Sequence, residues 1–163
     1  MSAQLKTQYQ LRPMQMDDLD AIIQIETTIY THPWTRGNFS DSLNSGYSAW
    51  VLEEQVLQTN HEMIGYALLM MVMDEAHLLN LSVAKHQQKQ GLGRYLLEHM
   101  LKIAKNHQAA NMFLEVRPSN ISAIALYENM GFSEMALRRG YYPADPKISK
   151  TSREDAILMG LAL

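Results

Sequence analysis

The chain has 163 residues, and 47% of them are hydrophobic, which suits one domain with a substantial core but not two. Its 14 basic and 17 acidic residues give a net charge of -3, which argues against direct contact with the backbone of DNA or RNA. No cysteine is present, so disulfides and a thiol nucleophile are excluded. The first residues lack the apolar segment of a signal peptide, and no run is long enough to cross a membrane. We therefore expect a soluble cytoplasmic protein.

The first third of the chain predicts two helices. Apolar residues at helical spacing follow Asp17 and Asp18, either of which can cap a helix that extends as far as Tyr30. Residues 31–34 include a proline and end this helix. A second, shorter helix is predicted over residues 36–44.

Strands and helices then follow in a mixed order. Three strands that form an antiparallel meander are predicted at residues 49–53, 63–73 and 76–83. They are followed by a helix at 94–107, a strand at 112–116, a helix at 122–130, and strands near 133–141 and 156–161. This order predicts an α/β (α+β) domain in which about four helices cover both faces of a mixed, largely antiparallel sheet of six to seven strands. Two prolines and several polar residues between 143 and 152 predict a flexible loop that could act as a lid.

A glycine-rich turn, Gln-Lys-Gln-Gly-Leu-Gly-Arg, occupies residues 88–94 and opens the third predicted helix. The first amides of a helix have no partner inside it and lie at the positive end of its dipole, so this turn predicts a phosphate site. Arg94 and Tyr95 follow the last glycine where an ATP or GTP loop has Lys and Ser or Thr, and Leu96 replaces the third small residue of a dinucleotide loop. Those nucleotides are therefore disfavoured, although two glycines alone are also compatible with a simple tight turn.

Two polar residues in the second half have the character that catalysis requires. Glu115 interrupts an apolar strand, where apolar neighbours disfavour its charged form and suit it to general-base catalysis. Tyr127 follows twelve residues later and could give a proton to a departing anion. Each also has an ordinary interpretation, because Glu115 could face solvent on a half-buried strand and Tyr127 could be a core aromatic residue. The histidines show no pair at the three- or four-residue spacing of helical metal ligands, so no metal site is predicted.

Several blocks that cover about half of the chain resemble, in order and spacing, the GNAT N-acetyltransferase superfamily, and within it the RimI-type ribosomal-protein-alanine acetyltransferases. These blocks are residues 80–83, 88–94, 114–117, 119–120, 125–128, 131–132, 141–143 and 153–156. The resemblance implies a single GNAT domain over residues 1–163 and acetyl-CoA as the acetyl donor. It places the donor's diphosphate on the backbone amides of the glycine turn, from Lys89 and Gln90 through Gly91, Leu92 and Gly93 to Arg94. It also implies that Leu81, Ser82 and Val83 pair with the pantetheine arm, and that Asn120 contacts the donor.

The resemblance further implies direct attack of a neutral amine on the thioester, with Glu115 as proton acceptor, directly or through water, and Tyr127 as proton donor to coenzyme A. An α-amino group has a pKa of about 7.7 to 8.0, against about 10.4 for lysine, which favours a protein N-terminus as acceptor. Tyr141 and Tyr142 could line the peptide groove, although a strand end rich in aromatic residues explains them equally well. Arg138 and Arg139 could repel the basic tail of a ribosomal protein, but they are interpreted as solvated strand residues because isolated basic pairs are common on protein surfaces.

The resemblance therefore implies an N-α-acetyltransferase that modifies the N-terminal alanine of a small-subunit ribosomal protein. Two alternatives stay open: a GNAT acetyltransferase of a small-molecule amine or a lysine side chain, and a non-catalytic acyl-CoA-binding module. The segment between Pro143 and Arg153 is longer than the family pattern, with residues 147–150 inserted.

Overall fold

The computed structural model describes residues 8–147 and 153–163, which contain seven strands. In chain order these are β1 Tyr9–Pro13, β2 Ser48–Leu57, β3 Asn60–Val72, β4 Glu75–Val83, β5 Asn111–Val116, β6 Ser133–Tyr142 and β7 Glu154–Ala162. They form one sheet in the order β1-β2-β3-β4-β5-β7-β6. Every neighbouring pair is antiparallel except β4 and β5, which confirms the predicted mixed sheet and its central meander.

Within the described residues, four α-helices cover the two faces of the sheet, as predicted: α1 Leu19–Ile29, α2 Arg36–Asn44, α3 Leu92–Asn106 and α4 Ile121–Asn129. On one face, α1 and α2 bury Ile22 and Phe39 against Tyr66 of β3. On the other, α3 buries one apolar side against the sheet, with α4 beside it. α3 also provides the crossover that the parallel pair β4 and β5 needs. No helix in the described part of the chain has the length and apolar character that crossing a membrane demands.

The start of α1 differs from the prediction, because neither acidic side chain caps it. Residues Met16–Asp18 form a short 3-10 turn, and the Asp18 carboxylate accepts hydrogen bonds from the guanidinium of Arg12 at 2.7 and 2.8 Å. It also accepts one from the backbone N–H of Gln15 at 2.7 Å. Asp18 occupies the predicted N-cap position of α1, but its side chain makes no capping hydrogen bond because Arg12 of β1 binds its carboxylate instead.

The edge strand β1 was not predicted at all. It has only five residues and pairs with a single neighbour, β2, from Tyr9↔Glu54 to Pro13↔Trp50. A proline is tolerated here because it ends an edge strand, where its missing N–H costs no hydrogen bond within the sheet. So short a segment with one aliphatic residue, Leu11, offers little periodicity to detect.

Two irregularities near the middle of the sheet shape the site. The parallel pairing of β4 with β5 ends at Leu78↔Leu114, although β4 continues for five more residues and β5 for two. The sheet therefore opens between the carboxyl ends of these strands. A bulge in β4 also shifts its register against β3, so that Leu78 packs towards α3 whereas Asn80 faces α1. The opening connects the two faces, and the bulge turns polar side chains towards α1.

Candidate active site

The glycine turn is built as an anion site. Gly91, at the N-cap of α3, and Lys89 both have left-handed backbone conformations, with φ of 81° and 64°. The backbone amides of residues 89–94 find no acceptor within residues 8–147 and 153–163, and the first helical turn closes only at Tyr95, whose N–H donates to Gly91 O. A β-carbon at Gly91 would meet nothing within 4 Å, so glycine is needed there for its backbone conformation and not for space. These free donors at a helix N-terminus fit a diphosphate.

A cavity of about 580 Å³ extends from this turn along the end of β4 to the start of α4. The predicted donor-binding residues that line it are Leu81, Ser82, Val83, Lys89, Gly91, Leu92, Gly93, Arg94 and Asn120. Gln90 is not among the lining residues, whereas its neighbour Gln88 is. We refer to this space as the donor cavity.

A second cavity, of about 220 Å³, lies on the α1 side of the opening, and we refer to it as the acceptor cavity. Glu115 and Tyr142 line it, together with Glu26 and Trp34. Residues that line both cavities include Tyr30, His32, Leu81, Arg117, Asn120 and Tyr127. The two cavities thus meet at the opening between β4 and β5.

Asn120 is the N-cap of α4 and has two functional ends. Its Oδ1 accepts a hydrogen bond from the backbone N–H of Ala123 at 3.3 Å. Its Nδ2 donates to no residue in the described part of the chain, and the residue lines both cavities. The cap therefore holds the side chain in place and leaves an amide donor for a ligand.

Tyr127 comes from α4, is 8% exposed, and lines both cavities. No residue among those described accepts or donates a hydrogen bond at its hydroxyl. Burial, and then the neighbouring hydroxyls of Tyr30 and Tyr142, raise the pKa of Tyr127 above its ordinary value. The phenol is therefore protonated at neutral pH and available as a donor to a group at the opening.

Glu115 faces the acceptor cavity because its strand neighbours Leu114 and Val116 face the core under α3. Its Oε1 accepts a hydrogen bond from Nη1 of Arg138 at 2.7 Å. Arg138 lies on β6 with an exposed side chain, as interpreted, and its guanidinium also pairs with Glu115 and stacks 4.2 Å from the centroid of the Tyr141 ring. Glu115 and Tyr127 thus approach the opening from opposite faces of the sheet.

The two tyrosines at the end of β6 have different positions. Tyr142 is half-buried and lines the acceptor cavity, and burial together with the charge of Glu115 raises the pKa of Tyr142 to about 12. Tyr141 is 43% exposed and lines neither cavity. The structure therefore brings one of this pair to the site.

A comparison with known families identifies the arrangement. The family model described as "Acetyltransferase (GNAT) family" matches residues 19–132, which include the turn, the opening, Glu115 and Tyr127. The chain belongs to the GNAT acetyltransferase family. The resemblance inferred from the sequence blocks is confirmed, and this GNAT enzyme is an acyltransferase whose acetyl donor is acetyl-CoA. The free amides and the donor cavity fit that donor.

Relatives of this GNAT enzyme include the [ribosomal protein bS18]-alanine N-acetyltransferase of Escherichia coli (strain K12), which is 40% identical over 150 residues, covering 92% of this chain and 95% of the relative. The protein of the same name from Haemophilus influenzae is 33% identical over 146 residues, covering 90% and 93%. The crystal structure of the Escherichia coli ribosomal-protein-S18-alanine N-acetyltransferase matches with a TM-score of 0.82 at 37% identity, covering 95% of this chain and 94% of that one. Arabidopsis thaliana NAA60, in complex with a bisubstrate analogue, shares the fold with a TM-score of 0.83 at 20% identity, covering 95% and 98%.

Sequence reasoning missed the contribution of the segment after α1 to this GNAT site. Tyr30 and His32 line both cavities, and Nε2 of His32 lies 2.9 Å from the backbone oxygen of Ala144 in the connection between β6 and β7. No local sequence pattern indicates these positions, because the contacts that fix them, Tyr30 with Ser82 and His32 with Ala144, join residues more than fifty positions apart. The predicted lid lies partly outside the described residues, since 148–152 are not among them. Within the described part of the chain, no cluster of three or more histidine or acidic side chains could hold a metal ion.

Proposed function

We propose that this enzyme acetylates the N-terminal alanine of the small-subunit ribosomal protein bS18, in the cytoplasm and through one catalytic domain. The observation that carries the proposal is the extent of the similarity to the Escherichia coli bS18-alanine N-acetyltransferase. It covers 92% of this chain at 40% identity, so it includes the acceptor side of the site as well as the donor side. Similarity restricted to the donor-binding half of the domain would not identify the acceptor, because fold does not determine substrate.

On the donor side, acetyl-CoA supplies a thioester whose carbonyl carbon is the electrophile. The amides of residues 89–94 hold the diphosphate, and the free edge of β4 at residues 81–83 pairs with the pantetheine arm as a neighbouring strand would. Asn120 adds its Nδ2 donor. The backbone donors are fixed before the ligand arrives, and the Asn120 side chain is held by its capping hydrogen bond, so little conformational entropy is lost on binding.

On the acceptor side, Glu115 takes the proton that the attacking amine loses, directly or through a water molecule. The amine nitrogen forms a bond to the carbonyl carbon while the carbon–sulfur bond breaks, and the sulfur leaves as a thiolate. Tyr127 donates a hydrogen bond to this sulfur. Because a thiol has a pKa of about 8.5, below that of the buried phenol, the hydrogen bond stabilises the thiolate without needing complete proton transfer from Tyr127.

The proposal is tested by incubating the enzyme and acetyl-CoA with a bS18 N-terminal peptide, its N-terminally blocked copy and a panel of small amines, and by following mass. We expect one acetyl group on the α-amine of the free peptide and none on the blocked peptide. Equal acetylation of the blocked, lysine-containing peptide would contradict the N-terminal assignment. A larger kcat/KM for a small amine than for the bS18 peptide would show that the small amine is the preferred acceptor, and would contradict the proposal.

A further inference from the structure

A buried polar network links α1 to β4 behind the opening. Glu26 of α1 is 1% exposed. Its Oε2 accepts a hydrogen bond from the hydroxyl of Tyr66 at 2.8 Å, and its Oε1 accepts one from Nδ2 of Asn80 at 3.0 Å. A carboxylate is buried at high cost unless donors satisfy it, so both partners are held firmly.

The network fixes the direction of each hydrogen bond up to the opening. Because Nδ2 of Asn80 donates to Glu26, Oδ1 of Asn80 faces Ser82 and accepts the hydroxyl proton of Ser82 at 2.6 Å. The Oγ of Ser82 then has no proton left for Tyr30, whose hydroxyl lies 2.7 Å away. The Tyr30 hydroxyl must therefore donate to Ser82, and its other nearby partner, the backbone oxygen of Leu81 at 3.4 Å, is also an acceptor.

Tyr30 lines both cavities where they meet. Its only proton is used in the hydrogen bond to Ser82, so its oxygen can act towards a ligand only as an acceptor. Tyr127, on the other side of the opening, has a hydroxyl free to donate. Acetyl transfer needs this polarity, because the attacking amine brings N–H donors and the departing sulfur needs a donor.

We propose that Tyr30 is a further catalytic residue, whose hydroxyl oxygen accepts an N–H of the acceptor amine and so aims the nitrogen lone pair at the thioester carbonyl. Ser82, Asn80 and Glu26 are positioning residues that act through it. The inference rests on the proposed function, since it assigns a contact to the acceptor, but it applies to whichever amine is acetylated.

Tyr30 binds the amine and does not deprotonate it. Burial raises the pKa of Tyr30 to about 12, so the phenol stays neutral. The amide of Asn80 also interrupts any proton path from Tyr30 to Glu26, because an amide nitrogen does not pass on a proton as a hydroxyl does. Glu115 remains the proton acceptor, on the facing strand β5.

The test replaces Tyr30 with phenylalanine, which keeps the ring, and uses Tyr9→Phe on the edge strand β1, a tyrosine that lines neither cavity, as the matched control. We expect Tyr30→Phe to lower kcat/KM for the acceptor about tenfold, the loss of one hydrogen bond, while the Kd for coenzyme A and the melting temperature stay close to wild type. The wild-type to variant ratio of kcat/KM should be constant between about pH 6.5 and 9. Tyr9→Phe should match the wild type.

A second variant, Ser82→Ala, keeps the Tyr30 oxygen but removes the acceptor of its proton. We expect a smaller loss, about threefold, and a double variant no slower than Tyr30→Phe, because both changes act on one contact. Activity of Tyr30→Phe within twofold of wild type would overturn the inference. So would a parallel loss of coenzyme A affinity, a ratio that changes with pH, or additive losses in the double variant.

Two provisions keep the result decisive. If Tyr30→Phe does not fold, Ser82→Ala decides alone: activity within twofold of wild type overturns the inference, and a specific loss in kcat/KM supports it. All rates are measured with the amine that the wild type acetylates fastest. If the wild type does not acetylate the bS18 peptide, the proposed function is contradicted. If Tyr30→Phe has the wild-type kcat/KM for the fastest amine, this inference is contradicted.

Discussion

At the scale of single residues, the two proposed catalytic side chains, a carboxylate and a phenol, reach the opening from opposite faces of the sheet. Glu115 meets the opening from β5 on the side of α1, and Tyr127 meets it from α4 on the side of α3. The proposed proton acceptor therefore lies on the side of the acceptor cavity, and the proposed hydrogen-bond donor to the leaving sulfur borders the donor cavity. Each residue can be tested separately, because Glu115 is proposed to act on the attacking amine and Tyr127 on the leaving sulfur.

Replacing Glu115 with glutamine should lower kcat/KM at neutral pH about 10² to 10⁴-fold, because the amide cannot accept the amine proton. Steady-state kinetics measures this loss, and calorimetry should show unchanged binding of coenzyme A. The control is Glu134→Gln on β6, a carboxylate that lines neither cavity. An unchanged pH–rate profile in Glu115→Gln would remove this residue from the base role.

Tyr127→Phe should lower kcat more than it raises KM, since the phenol acts on the departing sulfur and not on the bound acceptor. Because burial raises the pKa of Tyr127 above about 10, the wild-type rate should show no loss from its ionisation up to about pH 9. A pH–rate profile of kcat measures this. A decline near pH 8 that disappears in Tyr127→Phe would contradict the assignment.

At the scale of elements, we expect the position of β4 to decide whether the donor can bind, because its end is proposed to pair with the pantetheine arm. Its last residues pair with β3 on one side and leave the other edge free, with Gly65 opposite Val83. A β-carbon on Gly65 would lie 2.9 Å from the backbone oxygen of Ser82, which is too close for any real contact. The absence of a side chain at this position therefore lets the two strands approach.

Gly65→Ala should force the ends of β3 and β4 apart and cost about 1 to 3 kcal/mol of unfolding free energy. It should also weaken coenzyme A binding, because residues 81–83 move with the strand. Urea unfolding and calorimetry measure the two effects. Gly37→Ala in α2 is the control, since its β-carbon would lie 3.6 Å from Oγ1 of Thr35 and alanine favours a helix. Equal behaviour of the two variants would refute this account of β4.

Much of this element structure could be predicted from sequence because its causes are local. α2 was placed at its observed bounds, and α3 within two residues of its start, since helical spacing and turn residues act over a few positions. The bulge and the opening could not be predicted, because register depends on partner strands. For the same reason the ion pair of Arg138 with Glu115 and the approach of Tyr30 to Ser82 were missed.

At the scale of the whole molecule, the cost of burying Glu26 should appear in the pH dependence of stability. Burial raises the pKa of Glu26 above its ordinary value, although hydrogen bonds from Tyr66 and Asn80 oppose the shift. The folded protein then holds a proton that the unfolded chain has released, so stability is lost as the pH rises from the unfolded towards the folded pKa.

Glu26→Gln removes this titration while its amide can still hydrogen-bond Tyr66 and Asn80. The unfolding free energy of the wild type minus that of Glu26→Gln should therefore fall as the pH rises above about 4.3 and then level off. Denaturant unfolding between pH 4 and 7 measures the difference. A difference that rises with pH would show that the pKa of Glu26 is lowered in the folded protein.

The central claim is that one opening in the sheet receives both the acetyl donor and the acceptor amine. Calorimetric titration with coenzyme A joined through an acetyl carbon to the α-nitrogen of the bS18 peptide tests it most directly. We predict one conjugate bound per chain, with an affinity at least about a hundredfold above that of coenzyme A, because both cavities are filled at once. An affinity equal to that of coenzyme A alone would contradict the claim.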